Sequence, residues 1–143
     1  MFSHQVTEWG TPRQLYERLN TVFKFDLDPC TTEDNPLNTP CIITKKQDGL
    51  KTKWFGNVFV NPPYNEIEKW LDKAMFELGK PQTFEVKNIV FLLPARTDTK
   101  WFHNYIYTNP FAKIYFLKGR IKFRGAKNSA PFPSMIVIFS RNK

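Results

Sequence analysis

Apolar residues recur along the chain at two spacings, as helical stripes and as short continuous runs. The first stripe follows Thr11-Pro12, where Thr11 is expected to cap a helix and Gln14 to close a capping box. A second stripe follows Asn65, its expected cap, and ends at Gly79. The stripes contain Leu15, Leu19 and Val22 in the first helix, and Ile67, Trp70, Leu71, Ala74, Met75 and Leu78 in the second.

Runs of β-branched and aromatic residues between these stripes predict strands. Asn88–Leu93 contains a continuous apolar run from Ile89 onward, as expected of a buried parallel strand. Strands alternating with helices predict an α/β fold with a mostly parallel sheet, and two late strands predict an antiparallel hairpin at one edge. The predicted strands are Phe25–Asp28, Cys41–Thr44, Asn57–Val60, Asn88–Leu93, Ala112–Leu117 and Met135–Phe139, with a third helix at Thr99–Tyr107.

The composition describes one globular domain with an uneven charge. The 143 residues fit a single core, and the net charge is +8. Residues 87–143 carry eleven basic side chains and one acidic one, whereas residues 1–86 carry ten and twelve. A basic half is typical of a surface that meets a polyanion, although a solvated basic face explains the charge equally well. Interleaved aromatic residues favour nucleic acid, because they can stack on bases: Trp101, Phe102, Tyr105, Phe123 and Phe132.

Several classes of protein are excluded at this point. No segment reaches the apolar length of a membrane span, and the first ten residues lack an apolar run. Cys30 and Cys41 are the two cysteines, too few for a disulfide framework or a zinc site. We therefore expect a cytoplasmic protein with free thiols and neither a membrane nor a metal partner.

Asn61-Pro62-Pro63-Tyr64 is the sharpest chemical signal. It follows a predicted strand, and ligands of open α/β sheets bind at the carboxyl ends of strands. The prolines stiffen the turn and leave carbonyl groups free to accept, Asn61 adds a side-chain acceptor, and Tyr64 offers a ring on which a planar base can stack. Acceptors at Asn61 and the Pro62 carbonyl would bind both hydrogens of an amine and favour a pyramidal, attacking nitrogen. A rigid turn after an ordinary strand is the structural alternative.

The chain resembles the phage DNA N-6-adenine-methyltransferase (Dam) family. The resemblance implies a Rossmann-like methyltransferase sheet, S-adenosylmethionine as methyl donor and adenine in double-stranded DNA as acceptor. It also implies catalytic roles for Asn61, Pro62, Pro63 and Tyr64. It extends over nearly the whole chain: Trp9-Gly10-Thr11-Pro12, Phe25-Asp26-Leu27-Asp28-Pro29-Cys30, Asp48-Gly49-Leu50 with Trp54, Asn61-Pro62-Pro63-Tyr64, Leu92–Thr99 with Trp101-Phe102-His103, and Gly119–Phe123.

The cofactor residues also follow from the resemblance. Asp28-Pro29 takes the position of the cofactor loop, and an acid there can accept from a ribose hydroxyl or an ammonium group. Thr11-Pro12 matches the segment near the methionine end, and Asp48 the residue near the cofactor's adenine. One departure is that no glycine-rich loop follows Asp28. The expected cofactor residues are Trp9, Thr11, Pro12, Asp26, Asp28, Pro29 and Asp48, although a turn at the end of a strand explains Asp26 equally well.

The basic segment 118–127 is the candidate DNA contact. Alternation along a predicted strand would place Arg120, Lys122 and Arg124 on one side, to meet phosphates, unless the segment is only a charged edge strand. The expected DNA contacts are Arg96, Lys100, Trp101, Arg120, Lys122, Phe123 and Arg124.

Two alternatives stay open. Asn-Pro-Pro-Tyr also suits another amine, such as cytosine N4, adenine in RNA or a glutamine amide, and a DNA-binding module without activity could keep the same fold. The chain is too short for a separate target-recognition domain, so specificity must come from loops or from a second subunit of a homodimer.

Overall fold

The computed structural model describes residues 9–81 and 86–141, and within them the chain folds into one six-stranded sheet with helices packed against it. The mixed α/β prediction is confirmed. The elements are α1 Arg13–Phe23, β1 Leu27–Thr31, β2 Cys41–Thr44, β3 Gly56–Val60, α2 Ile67–Leu78, β4 Val86–Pro94, a π-helix at Phe102–Tyr107, β5 Ala112–Phe116 and β6 Ser134–Ser140.

The strand order is β2-β1-β3-β4-β6-β5. Strands β2, β1, β3 and β4 are parallel neighbours, whereas β6 is antiparallel to both β4 and β5. The antiparallel pair at one edge is therefore confirmed, and the last strand of the chain, β6, lies between β4 and β5. Because β1 pairs with β2 on one side and β3 on the other, the strand order reverses between β1 and β3. Such a reversal opens a crevice at the carboxyl ends of the two strands.

Alternation along the strands divides the core between the two faces of the sheet. On one face, Val58 and Val60 of β3 pack with the apolar stripe of α2 and with Phe102 and Ile106 of the π-helix. On the other face, Phe59 packs with Tyr16 of α1 and with the segment between β5 and β6. No helix among the described residues is long and apolar enough to cross a membrane.

The predicted helix starts are wrong in detail. Helix α1 begins at Arg13 after Pro12, and no side chain caps it. Thr11 is instead buried, and its hydroxyl accepts from Asn61, so tertiary packing has taken the group that would have capped the helix. Helix α2 follows Glu66 rather than Asn65, again without a side-chain cap. The predicted end of α2 at Gly79 is confirmed, since the Gly79 N–H donates to the Met75 carbonyl.

Two predicted strands also differ. Strand β1 starts at Leu27, so Asp28 lies inside the strand and Asp26 precedes it. Segment 120–124 is not a strand, because Arg124 alone forms a bridge, with Gly10. Gly119 and Gly125, with φ of 74° and 81°, turn the chain at the two ends of this segment.

The third predicted helix exists, but most of it is π-helical. It starts at Lys100, and the hydroxyl of Thr99 accepts from the Phe102 N–H at 3.2 Å. Residues Phe102–Tyr107 then have the wider π-helical winding, a form that recurs at functional sites. The winding buries Phe102 and Ile106 against the sheet and leaves His103 exposed.

Candidate active site

The reversal in strand order brings the two sharpest sequence signals together. Leu27 of β1 pairs in register with Val58 of β3. Asp28 and Pro29 therefore lie beside the last residues of β3, and Asn61 follows at the same edge. The turn continues through Pro63, whose carbonyl accepts from the Glu66 N–H at 2.9 Å and so leads into α2.

The side-chain nitrogen of Asn61 is hydrogen-bonded, whereas its side-chain oxygen has no partner among the described residues. Its Nδ2 donates to the Trp9 carbonyl and, at 2.9 Å, to the Thr11 hydroxyl. Its Oδ1 is buried and accepts no hydrogen bond from any described residue. An unpaired buried acceptor is costly, which makes Asn61 Oδ1 a candidate acceptor for a ligand.

Tyr64 lies in a cluster of four aromatic rings, Trp9, Tyr64, Phe123 and Phe132. The ring of Phe132 meets that of Tyr64 edge-on, with centroids 5.5 Å apart, and Trp9 faces Tyr64 at 6.4 Å. The Tyr64 hydroxyl is buried without a partner among the described residues. Burial raises the pKa of this phenol, partly opposed by the charge of Arg96, so Tyr64 stays neutral. Arg96 itself is exposed, with its guanidinium carbon 5.9 Å from the Phe132 centroid.

Phe123 and Arg124 lie differently from the other expected DNA contacts. Phe123 is 2% exposed and packs in the aromatic cluster, so it cannot stack on DNA from this position. Arg124 is not one of a row of side chains on a strand. The Nη1 atom of its side chain donates to the Thr11 carbonyl at 2.9 Å, and its backbone N–H donates to the Gly10 carbonyl at 2.8 Å.

Gly10 packs closely against the side chain of Arg124 at this contact. A Cβ on Gly10 would lie 3.0 Å from the guanidinium of Arg124, closer than ordinary packing allows. Arg124 thus clamps the segment Trp9–Thr11 over Asn61.

Asp28 is a buried acid beside this site. It is 2% exposed, and its Oδ1 accepts from the Cys30 N–H at 3.1 Å. Burial raises the pKa of Asp28 to about 7, while the hydrogen bond from Cys30 and the charge of Arg124 act in the opposite direction. A carboxyl group that changes charge near neutral pH is a candidate for ligand binding.

Asp26 occupies the opposite end of the strands. Its Oδ2 accepts from the Asn57 N–H at 2.9 Å, at the start of β3. Its carbonyl accepts from the Cys41 N–H at the start of β2. A Cβ on Gly56 would lie 2.3 Å from the same Oδ2. Asp26 therefore ties the amino ends of three strands and is not brought together with Asn61.

Asp48 belongs to a loop that packs at the carboxyl end of β1. Its φ is 66°, and its Oδ1 accepts from the Leu50 N–H at 3.0 Å. The next residue, Gly49, lies so close to β1 that a Cβ would be 2.0 Å from the Pro29 carbonyl oxygen. The structure thus brings Asp48 to the same edge of the sheet as Asp28. The carboxylate of Asp48, however, already accepts a hydrogen bond within its own loop.

The remaining expected DNA contacts lie on the surface. Arg96 and Lys100 follow β4 at the carboxyl edge, and both are exposed, as are Arg120 and Lys122. Trp101 is half-buried and packs against the core face that α2 covers.

The sequence analysis missed Phe132 as part of this site and the clamp formed by Arg124. Phe123 and Phe132, nine positions apart in and after a basic segment, were the available signal, but nothing in that spacing identifies Tyr64 or Thr11 as a partner of this segment. Among the described residues, no group of three metal-binding side chains is gathered.

A family model described as DNA N-6-adenine-methyltransferase (Dam) matches residues 3–143. No curated protein matches the chain.

Proposed function

The chain belongs to the DNA N-6-adenine-methyltransferase (Dam) family, and from this premise we propose that it methylates N6 of adenine in duplex DNA with S-adenosylmethionine as donor. The fold proposed is the Rossmann-like methyltransferase fold, a form compatible with the reversal between β1 and β3. The observation that carries the proposal is the buried, unpartnered Oδ1 of Asn61 at this reversal.

Asn61 acts on the amine of the target base. The exocyclic nitrogen of adenine is a weak nucleophile because its lone pair is delocalised into the ring. Asn61 Oδ1 accepts one amine hydrogen and the Pro62 carbonyl accepts the other, which favours the pyramidal nitrogen whose lone pair can attack. Since both acceptors are held by a rigid turn, they are oriented before the base arrives, and no reorganisation is needed during the reaction.

Asp28, Pro29, Thr11, Pro12 and Asp48 are proposed to hold the cofactor. When bound, S-adenosylmethionine supplies an electrophilic methyl group. The residues present fit it, because a buried acid with a raised pKa lies at the crevice and can accept from a hydroxyl or ammonium group. Close packing of Gly49 on Pro29 gives the crevice a backbone wall in place of a glycine-rich loop. Asp26 is proposed to be structural.

The basic surface is proposed to hold the DNA. Arg96, Lys100, Arg120 and Lys122 are exposed and meet phosphates, while Trp101 borders the same edge. Adenine in a duplex must leave the stack to reach Asn61, so the protein must accept a flipped nucleotide. Arg124 and Phe123 act indirectly, by holding the segment and the rings that surround Asn61.

The proposal is tested by incubating plasmid DNA with the protein and S-adenosylmethionine and then mapping modified bases by sequencing. N6-methyladenine at defined positions is the expected result. Methyl groups on cytosine, or on RNA in a parallel reaction, would assign the site to another amine. Absence of methyl transfer together with salt-dependent DNA binding would identify a non-catalytic DNA-binding module.

A further inference from the structure

We propose that Trp9 is a base-stacking residue, and that Trp9 and Tyr64 form a slot that takes the target adenine between their rings. This inference rests on the proposed function and changes the role of Trp9, which the sequence analysis placed in the cofactor site.

The rings of Trp9 and Tyr64 are nearly parallel, and their centroid distance is close to what a base between them would need. Their centroids are 6.4 Å apart and their planes are inclined by 27°. Stacked bases repeat at about 3.4 Å, so a base between two rings needs them roughly 6.8 Å apart. Since the centroid distance is an upper limit on the separation of the ring planes, the Trp9 side chain must move outward to admit a base, and the adenine then gains a second stacking surface.

The neighbouring groups complete the slot. The ring of Phe132 is steeply inclined to both rings, at 5.4 Å and 87° to Trp9 and at 5.5 Å and 68° to Tyr64. Phe132 therefore forms a wall that joins the two rings. Asn61 lies beside Trp9, because its Nδ2 donates to the Trp9 carbonyl, and its unpartnered Oδ1 is available for the amine of the base.

Trp9 is also held in a way that suits this role. Its ring packs against Phe123 at 5.2 Å, and the following residues are fixed by Arg124 and by Asn61. Trp9 is thus linked by hydrogen bonds to Asn61, the proposed acceptor of the amine. A base stacked on the Trp9 ring would therefore be held at a defined position relative to Asn61.

The test compares Trp9→Leu and Trp9→Phe with a matched control, Phe76→Leu, which removes an exposed aromatic ring from α2. Sites modified by the unaltered protein are mapped first, and a duplex is then made with 2-aminopurine in place of the target adenine. We measure kcat and KM for the unmodified duplex, the fluorescence of 2-aminopurine in the complex, and S-adenosylmethionine affinity without DNA by calorimetry.

Trp9→Leu should lower kcat/KM for DNA by roughly tenfold to a hundredfold, the range expected for one lost base–aromatic stack. It should also raise the fluorescence of bound 2-aminopurine, because a stacked ring quenches that base, and leave cofactor affinity unchanged. Trp9→Phe should restore most of the activity. Weaker cofactor binding with normal DNA kinetics would return Trp9 to the cofactor site, and unchanged values of both would also overturn the inference.

Folding and the underlying function are checked separately. If Trp9→Leu melts well below Phe76→Leu, the unaltered protein is crosslinked to a duplex with a photoreactive adenine at the mapped position. Adducts are expected on two tryptic peptides: residues 1–13, which contain Trp9, and residues 54–69, which contain Tyr64. Adducts on the Tyr64 peptide alone would overturn the slot. An unaltered protein that methylates no adenine would refute the proposed function and this inference together, whereas normal methylation by Trp9→Leu would refute the inference alone.

Discussion

The guanidinium of Arg124 donates to the Thr11 carbonyl at 2.9 Å and so joins two segments that lie 113 positions apart in the sequence. Thr11 in turn accepts from Asn61. A basic side chain expected to face phosphates is therefore connected, through one residue, to the amide proposed to hold the substrate amine.

Arg124→Met should lower both stability and methyl transfer. Loss of a hydrogen bond from a charged donor costs roughly 1.5–3 kcal/mol, and the segment Trp9–Thr11 would then be less firmly held over Asn61. We expect a lower melting temperature and a single-turnover rate reduced by about tenfold or more. Lys122→Met, which removes one exposed charge from the same segment, is the control. Equal behaviour of the two variants would mean that Arg124 acts only through its charge.

Asn61→Ala should reduce the methylation rate by on the order of 10²–10³, the scale seen when one well-placed polar group is removed from an electrostatic site. The effect on cofactor affinity should be small, because Asn61 acts mainly as the nitrogen becomes pyramidal. Single-turnover assays with labelled donor measure the first quantity, and calorimetry the second. Asn61→Asp, which keeps an acceptor, should retain part of the activity. Near-normal transfer by Asn61→Ala would refute the mechanism.

Asp28 should make cofactor binding depend on pH. With a pKa of about 7, Asp28 is charged above neutrality, and only the charged form accepts fully from an ammonium or hydroxyl group. Affinity for S-adenosylmethionine should therefore rise as pH increases through 7, and Asp28→Asn should flatten this profile. Asp28→Asn should weaken binding at pH 8 more than Asp26→Asn does. A larger effect at Asp26 would move the cofactor assignment away from Asp28.

The raised pKa of Asp28 also predicts that the stability of the fold depends on pH. The folded pKa lies above the ordinary value of 3.8, so the native state holds a proton that the unfolded chain has released. Protonated Asp28 therefore contributes to the free energy of unfolding. This contribution is fully present below about pH 4 and is lost as pH rises through 7. The unfolding free energy of Asp28→Asn should therefore exceed that of the unaltered protein at pH 8, and the excess should shrink toward pH 4. Denaturant titrations at several pH values measure it.

Two of the exposed cations between β5 and β6, Arg120 and Lys122, should make DNA binding depend on salt. Replacing both with Gln should reduce the slope of log affinity against log salt by up to about 1.8, near 0.9 for each lost phosphate contact. Filter binding at several salt concentrations measures the slope. Replacing two cations remote from this segment, Lys45 and Lys46, is the control. An unchanged slope in the first variant would identify a merely solvated edge.

The sequence by itself determined the elements whose cause is local. The apolar stripe Ile67–Leu78 specifies α2, because its period places one face on the sheet whatever the rest of the chain does. The continuous apolar run inside β4 is bounded and short, which favours a buried strand, and the structure has one there. Asn-Pro-Pro-Tyr could be placed at the end of a strand for the same reason, since Val58-Phe59-Val60 precedes it directly.

Only the tertiary structure decided which polar groups meet. Asp26 and Asp28 are two positions apart in sequence, yet one ties the starts of three strands and the other is buried near the crevice. Thr11 bonds Asn61 instead of capping α1, and the guanidinium of Arg124, although the residue is exposed, bonds the Thr11 carbonyl. Periodicity specifies which face of an element is buried, because that depends on neighbours along the chain. The partner of a buried donor or acceptor depends on how distant segments close on one another, which no local pattern encodes.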